Sequence, residues 1–342
     1  MALSTIAIVL VVMGFLIAFA IGANDESMST TVGSGTFSVR SAVLVGGVVA
    51  FLGVVFLSGG VGKTIGVGLL SPVARSYYDD YLMLAVLAST TIWLIVGSLT
   101  GAPLSTTHSV VGCIFGVGLV ISINANLPFA QVLNGSKMTS VVLAWFISPT
   151  LGYFGALGVQ LAMQKWLLPR FRGLESIERS EKKFAYLLLV TVLVTQISRG
   201  GNDAANAIGV FYALAEANPG DVPLTGLVVA SAACLALGIV VIGRIVIRNL
   251  GENLVEMRPS DAFSIQLSVS LLVLICTLLG LPISGTHILV FAMLGNAKAR
   301  SVKSETKNLA KMVATWVLTF PVAMLVAMAF YAGFIHAGLV TF

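Results

Sequence analysis

Residues 200–209 of the chain read GGNDAANAIG and place an amide, a carboxylate and a second amide directly after a long apolar run. Residues 22–25 read GAND and also follow an apolar run. Each motif is followed by a second polar motif, GAPLSTTH at 101–108 and GLPISGTH at 280–287. Two kinds of polar motif therefore occur twice, in the same order.

The spacing within each pair of motifs is nearly the same. Ser105 follows Asp25 by 80 positions, and Ser284 follows Asp203 by 81 positions. Self-similarity at a fixed period is the mark of a repeated structural unit. The chain is therefore predicted to consist of two diverged copies of one unit, each carrying half of a site.

The composition indicates an integral membrane protein. The 342 residues are 57% hydrophobic and 10% charged, with a mean hydropathy of +1.00, whereas a soluble domain carries about 25% charged residues. The basic residues lie in short loops between apolar runs, so nucleic acid is not an expected partner. Cys113, Cys234 and Cys276 share no metal-ligand spacing, and no cofactor is expected.

Ten apolar segments, five in each copy, predict an all-α polytopic protein. The ninth has only eight residues and is too short to cross a bilayer as a helix, so it is expected to form a hairpin with the eighth, broken at the PISGT sequence. The third and fourth should form the matching hairpin, re-entrant in type. The segments lie at 3–21, 41–57, 81–100, 109–123 and 139–163, then at 184–198, 223–243, 263–281, 288–295 and 312–335.

Basic residues predict the orientation, because Lys and Arg concentrate in cytoplasmic loops. Under alternating crossings, fifteen of the 19 basic residues fall on one side and only Lys63, Arg75 and Lys137 fall on the other. Both termini are thus expected outside, and an odd number of crossings per copy inverts the second copy. Inverted repeats with broken helices are typical of secondary transporters. The predicted divisions are a first membrane repeat at 1–164, a basic cytoplasmic linker at 165–183 and a second, inverted membrane repeat at 184–342.

The polar motifs carry the groups expected to bind ions. A carboxylate at membrane depth, such as Asp25 or Asp203, usually marks an ion or proton pathway, and the glycines beside each one let the backbone unwind. The hydroxyls of the later motifs can cap a helix, surround an oxyanion, or do both, because a helix cap beside a cavity is an anion site. Carboxylates repel an anion, so cotransported cations or protonation must neutralise them. Arg199 either faces the anion or snorkels to the interface.

At these residues the chain resembles the inorganic phosphate transporter (PiT) family, and the resemblance covers both halves. It implies cation-coupled phosphate uptake across the cytoplasmic membrane, driven by sodium or protons, and a homodimer. The implied substrate-binding residues are Asn24, Asp25, Ser105, Thr106, Thr107, Asn202, Asp203, Asn206, Ser284 and Thr286. The implied sodium ligands are Asp25, Asn24, Thr107, Asp203, Asn202 and Thr286.

Two positions depart from the family pattern. Met28 replaces the second asparagine of the first motif, after the acidic Glu26, and Arg199 stands where a histidine is expected. Three alternatives stay open: a proton-coupled phosphate permease, a sulfate permease of the same fold, and an ion channel with the hydroxyl-rich tips as its filter. No catalytic motif indicates an enzyme.

Overall fold

The polypeptide is mostly helical in the computed structural model, which describes residues 4–77, 79–217, 222–281 and 283–342. Pro282, which we expected to interrupt the second hairpin, lies outside these residues. The first seven helices are α1 (Thr5–Ala23), α2 (Ser29–Gly33), α3 (Val39–Gly68), α4 (Asp80–Leu99), α5 (Thr106–Asn124), α6 (Phe129–Val132) and α7 (Gly135–Ala162). The others are α8 (Leu174–Ala217), α9 (Leu224–Gly238), α10 (Arg244–Asn253), α11 (Pro259–Leu278), α12 (Gly285–Arg300) and α13 (Thr306–His336).

The apolar surface of these helices belongs in a bilayer. Within the described ranges, nine helical stretches are long and apolar enough to cross a membrane. Large apolar side chains point outward, including Phe56 and Phe146, which are 75% and 70% exposed. Exposed apolar side chains on helices long enough to cross a bilayer are favourable in contact with lipid. The protein is therefore a multi-pass membrane protein, and the predicted all-α class is confirmed.

Each of the ten predicted apolar segments overlaps a helix, but the sixth prediction, 184–198, is much too short. Helix α8 runs without interruption over 44 residues and includes the whole GGNDAANAIG motif at 200–209. It begins at Leu174, inside the predicted linker 165–183, where ion pairs Glu175–Arg179 and Glu178–Lys182 join successive turns. Such pairs four residues apart stabilise a helix beyond its apolar part. The boundary at 183/184 thus falls within a helix.

The expectation that the backbone unwinds around the motif at 200–209 is wrong. The glycines of this motif let two helices pack closely instead. A Cβ on Gly200 of α8 would lie 2.6 Å from the carbonyl oxygen of Ala50 in α3. In return, a Cβ on Gly53 of α3 would lie 2.1 Å from the carbonyl oxygen of Ile197 in α8. Small residues let membrane helices approach this closely. Helix α8 also packs against α11 and α1, at the centre of the molecule.

Replacing Gly53 by valine should therefore destabilise the protein by about 1–3 kcal/mol, the usual cost of overpacking a filled interface. Gly158 of α7 is the matched control, because a Cβ there meets no atom within 4 Å, so Gly158→Val carries only the change in helix propensity. Thermal unfolding of the two purified variants in one detergent measures the difference. Equal losses of stability would show that the α3–α8 contact tolerates a side chain.

Candidate functional site

The GAND motif at 22–25 lies at a break between two helices. Helix α1 ends at Ala23 and α2 begins at Ser29. Between them, the backbone N–H of Ser27 donates to Asp25 Oδ1 at 2.7 Å, a local hydrogen bond that competes with continuation of the helix. The predicted broken helix is confirmed in this copy. The break leaves the Asp25 and Glu26 carboxylates buried instead of on a lipid-facing helix surface.

In both hairpins, the first helix ends at a glycine in the same conformation. Gly101 and Gly280 both adopt positive φ, +70° and +67°, which a glycine reaches without steric cost. The N–H of Ala102 then donates to Gly97 O, and the N–H of Leu281 donates to Cys276 O. These are the hydrogen bonds of a glycine helix cap. The backbone of each hairpin is thereby turned back toward the interior of the protein.

The hairpin tips are the turn after Gly101, between α4 and α5, and the turn after Gly280, between α11 and α12. Asn24 binds the first tip and Asn202 binds the second. Asn24 Nδ2 donates to Leu104 O at 2.7 Å, and Leu104 N donates to Asn24 Oδ1 at 3.1 Å. In the second copy, Asn202 Nδ2 donates to Leu281 O at 3.0 Å and Ile283 N donates to Asn202 Oδ1 at 3.4 Å. Both side-chain amides are thus bound to backbone that would otherwise be unpaired away from water.

The two tips bind each other reciprocally. Thr107 Oγ1 donates to Ile283 O at 3.2 Å, and Thr286 Oγ1 donates to Leu104 O at 3.2 Å. Ser105 and Ser284 accept hydrogen bonds from the N–H groups of His108 and His287 and so cap α5 and α12. The capping role expected of these serines is confirmed. The N-termini of two helices therefore meet in the interior, and helix N-termini attract anions.

A row of four aromatic rings lies directly behind the tips. The imidazole centroids of His108 and His287 are 4.6 Å apart. Trp145 lies edge-to-face against His108 at 3.9 Å, and Trp316 lies edge-to-face against His287 at 4.2 Å. Trp316 Nε1 also donates to Pro103 O at 2.8 Å. This aromatic row (Trp145, His108, His287, Trp316) packs the first turns of α5 and α12 together.

A buried charge cluster (Asp25, Glu26, Arg199 and Asp203) lies beside the tips. Arg199 Nε and Nη2 donate to Asp203 Oδ2 at 3.1 and 2.9 Å, and Arg199 Nη1 donates to Glu26 Oε1. Arg199 is only 4% exposed, so the snorkelling alternative is wrong. The cluster holds three acids and one base, and its formal charge is −2 when all four groups are ionised.

Two glutamines complete this region, and sequence reasoning missed both. Gln196 Nε2 donates to Asp25 Oδ2 at 2.9 Å. Gln266 Nε2 donates to Ser27 O and Thr30 Oγ1, and its Oε1 accepts from Thr195. The available signal was an amide inside an otherwise apolar membrane segment, since polar residues there are usually functional.

The predicted site residues thus lie at two joined places, the hairpin tips and the charge cluster. Asn206 Nδ2 donates to Asp203 O at 3.0 Å, and Thr106 is the buried first residue of α5. Asn206 and Thr107 also line a cavity of about 460 Å³ with mostly aliphatic walls. Among the described residues, no three acidic, histidine or cysteine side chains lie close enough together to hold a metal ion.

Known proteins resemble this chain over most of its length. The model of the phosphate transporter family matches residues 21–327. A protein of Thermococcus kodakarensis named "Putative phosphate permease" is 30% identical, with 94% of this chain and 95% of the relative covered. One of Haemophilus influenzae with the same name is 25% identical, with 91% and 92% covered.

A solved structure is similar over nearly the whole chain. The protein, described as the sodium-dependent phosphate transporter, superposes with a TM-score of 0.82 at 25% identity, covering 97% of this chain and all of the other. The family match covers far more than half of the sequence and includes both motifs. The chain belongs to the phosphate transporter family.

Proposed function

We propose that this protein imports inorganic phosphate by cotransport with a cation, and that the cation is sodium. The observation that carries the proposal is the meeting of two helix N-termini at tips that bind each other, directly beside buried carboxylates. An oxyanion is attracted by the first feature and repelled by the second. A positive ion between the anion and the carboxylates would offset their repulsion. Binding of the anion would then depend on binding of the cation.

The phosphate would bind at the tips. Its oxygens accept hydrogen bonds, and the tips offer hydroxyls and N-terminal N–H groups from Ser105, Thr106, Thr107, Ser284 and Thr286. The present bonds of Thr107 and Thr286 to the opposite tip are single hydrogen bonds between neutral groups. Such bonds contribute only about 0.5–1.5 kcal/mol each, so a charged phosphate can replace them. Asn206, beside the cavity, supplies a further amide.

The sodium ion would bind on the first-copy side, with Asp25 as its charged ligand. Asn24 and Thr107 are the neutral oxygen ligands that the resemblance implies. The relative described as sodium-dependent supports sodium over protons as the coupling ion. The corresponding ligands in the second copy are Asp203, Asn202 and Thr286. They differ from the first-copy ligands because Arg199 already contacts Asp203.

The proposed setting is the cytoplasmic membrane, with both termini outside. The support is the excess of basic residues on one side, six of which lie in residues 165–183. Inverted repeats are part of the proposal and are supported by the matched roles of Asn24 and Asn202 at the two hairpins. The PiT resemblance supports a homodimer.

Uptake of radiolabelled phosphate into proteoliposomes tests the proposal. An inward sodium gradient at equal pH inside and outside should drive accumulation above equilibrium, and sulfate in tenfold excess should not compete. A sodium ionophore should abolish the accumulation. Liposomes without protein and liposomes with the Asp25→Asn variant are the controls.

Each alternative gives a different result in the same assay. Accumulation that follows a pH gradient and ignores sodium would mean proton coupling. Inhibition by sulfate would mean a sulfate or mixed permease. Phosphate that equilibrates but never accumulates under either gradient would mean a channel, because a channel cannot move its ion against a gradient. Any of these three outcomes would overturn the proposed sodium-driven mechanism.

A further inference from the structure

The guanidinium of Arg199 occupies the place beside Asp203 that a mobile cation would need. Its Nε and Nη2 both donate to Asp203 Oδ2, at 3.1 and 2.9 Å, while Nη1 donates to Glu26. Both ion pairs are buried. The planar fork of an arginine suits this two-sided contact with carboxylates. Asp203 is therefore neutralised by a cation that belongs to the protein.

The hairpin tip is shaped to accept this side chain. A Cβ on Gly285, the first residue of α12, would lie 2.4 Å from Arg199 Nε and 2.8 Å from its Cζ. The Arg199 side chain thus contacts the start of the second hairpin's inner helix. Any larger residue at position 285 would force the Arg199 side chain to shift from this position. The positive charge is held at the tip itself, not at the membrane interface.

The first copy presents the opposite situation. Asp25 Oδ2 accepts from the neutral Gln196 Nε2 at 2.9 Å. Three buried oxygens around Asp25, on Glu26 (Oε2), Ser27 (Oγ) and Gln196 (Oε1), have no hydrogen-bond partner in the part of the chain that the structure describes, whereas beside Asp203 one such oxygen is present, Asn206 Oδ1. Buried acceptors without partners cost free energy, and oxygen ligands suit an alkali cation.

We propose that Arg199 is a tethered cation that replaces one exchangeable sodium ion, so that the protein binds coupling sodium only in the first copy, at Asp25. This inference rests on the proposed sodium-coupled function and specifies its stoichiometry. Two symmetric aspartates would allow one ion in each copy. Here the second aspartate already has its positive partner, and that partner cannot leave during the transport cycle.

The proposal is tested by removing the tethered charge without changing the charge of the cluster. Glu26→Gln combined with Arg199→Gln removes one negative and one positive charge, so the formal charge stays at −2. Asp203 then lacks its partner. Sodium-22 binding to the purified protein in detergent should rise by one ion per chain relative to wild type. Adding Asp203→Asn to the double variant should remove that ion.

A milder variant gives a second, independent test. In the wild-type background, Asp203→Asn should leave the number of bound sodium ions unchanged, because Arg199 already occupies the carboxylate. Asp25→Asn should remove the bound sodium. Loss of a sodium ion in Asp203→Asn would overturn the proposal, and so would a double variant that is folded and binds no additional ion.

Flux ratios separate this proposal from the proposed function and from a role of Arg199 in phosphate binding. The sodium-22 to phosphorus-32 uptake ratio should be higher by one in the double variant. A raised KM for phosphate with an unchanged ratio would mean that Arg199 is a phosphate ligand, and would overturn the proposal. Absence of phosphate uptake in wild type would refute the proposed function alone, because the binding measurement needs no transport.

Discussion

Replacing Asp25 by asparagine should reduce sodium-driven phosphate uptake roughly 10- to 100-fold, because the carboxylate is the charged partner of the coupling ion and interactions of charged groups contribute about 1.5–3 kcal/mol. The variant preserves the size of the side chain, and Asn Oδ1 can still accept from Ser27 N, as Asp25 Oδ1 does at 2.7 Å. The turn between α1 and α2 should therefore persist. The loss should come from the missing charge.

The measurement is initial uptake rate in proteoliposomes at matched protein content, as a function of sodium concentration. Asp80→Asn is the control, because Asp80 lies in the first turn of α4, outside the charge cluster, and its uptake should stay close to wild type. The sodium dependence separates causes, since a lost ligand shifts the curve to higher sodium. Wild-type uptake by Asp25→Asn at wild-type sodium affinity would remove Asp25 from the cation site.

Arg199→Leu should lower the free energy of unfolding by about 3–5 kcal/mol, the usual effect of removing one partner from a buried ion pair. The substitution leaves Glu26 and Asp203 buried without a counter-charge. Their mutual repulsion and their desolvation then act together. Neutralising one of them by Glu26→Gln should restore part of the lost stability, because one of the uncompensated charges is then removed.

Thermal and denaturant unfolding in detergent would measure both changes. The matched control is Arg248→Leu, because Arg248 pairs with Glu252 at 3.9 Å while both side chains are more than half exposed. Exposed ion pairs contribute only about 0–1 kcal/mol, so this variant should resemble wild type. A similar loss in Arg199→Leu and Arg248→Leu would contradict the buried pairing of Arg199 with Glu26 and Asp203.

Much of the fold follows from the sequence because its signals are local. Apolar length alone predicts the helices, and the eight-residue apolar segment at 288–295 predicts the hairpin whose inner helix is only Gly285–Arg300. The course of α8 could not be predicted in the same way. Glycines at 200 and 201 are equally compatible with unwinding and with close packing, and only the neighbour, α3, decides between them.

The same distinction applies to the site. Asn24, Asn202, Thr107 and Thr286 could be singled out because each occurs in a repeated motif. Of the two partners of Arg199, Asp203 lies only four positions away on the same helix, but Glu26 could not be predicted, because it lies 173 positions away and nothing local indicates the pairing. Gln196 carries no motif, and its role depends on Asp25, 171 positions away. Contacts between the two copies, unlike motifs within them, require the tertiary structure.

The aromatic row makes the hairpin tips optically visible. Any step of the transport cycle that separates the tips must separate His108 from His287 and change the surroundings of Trp145 and Trp316, two of the four tryptophans in the chain. Of the other two, Trp93 donates to Thr319 and Trp166 is 63% exposed. With both of these replaced by phenylalanine, the remaining intrinsic fluorescence would follow the tips in real time without an attached dye.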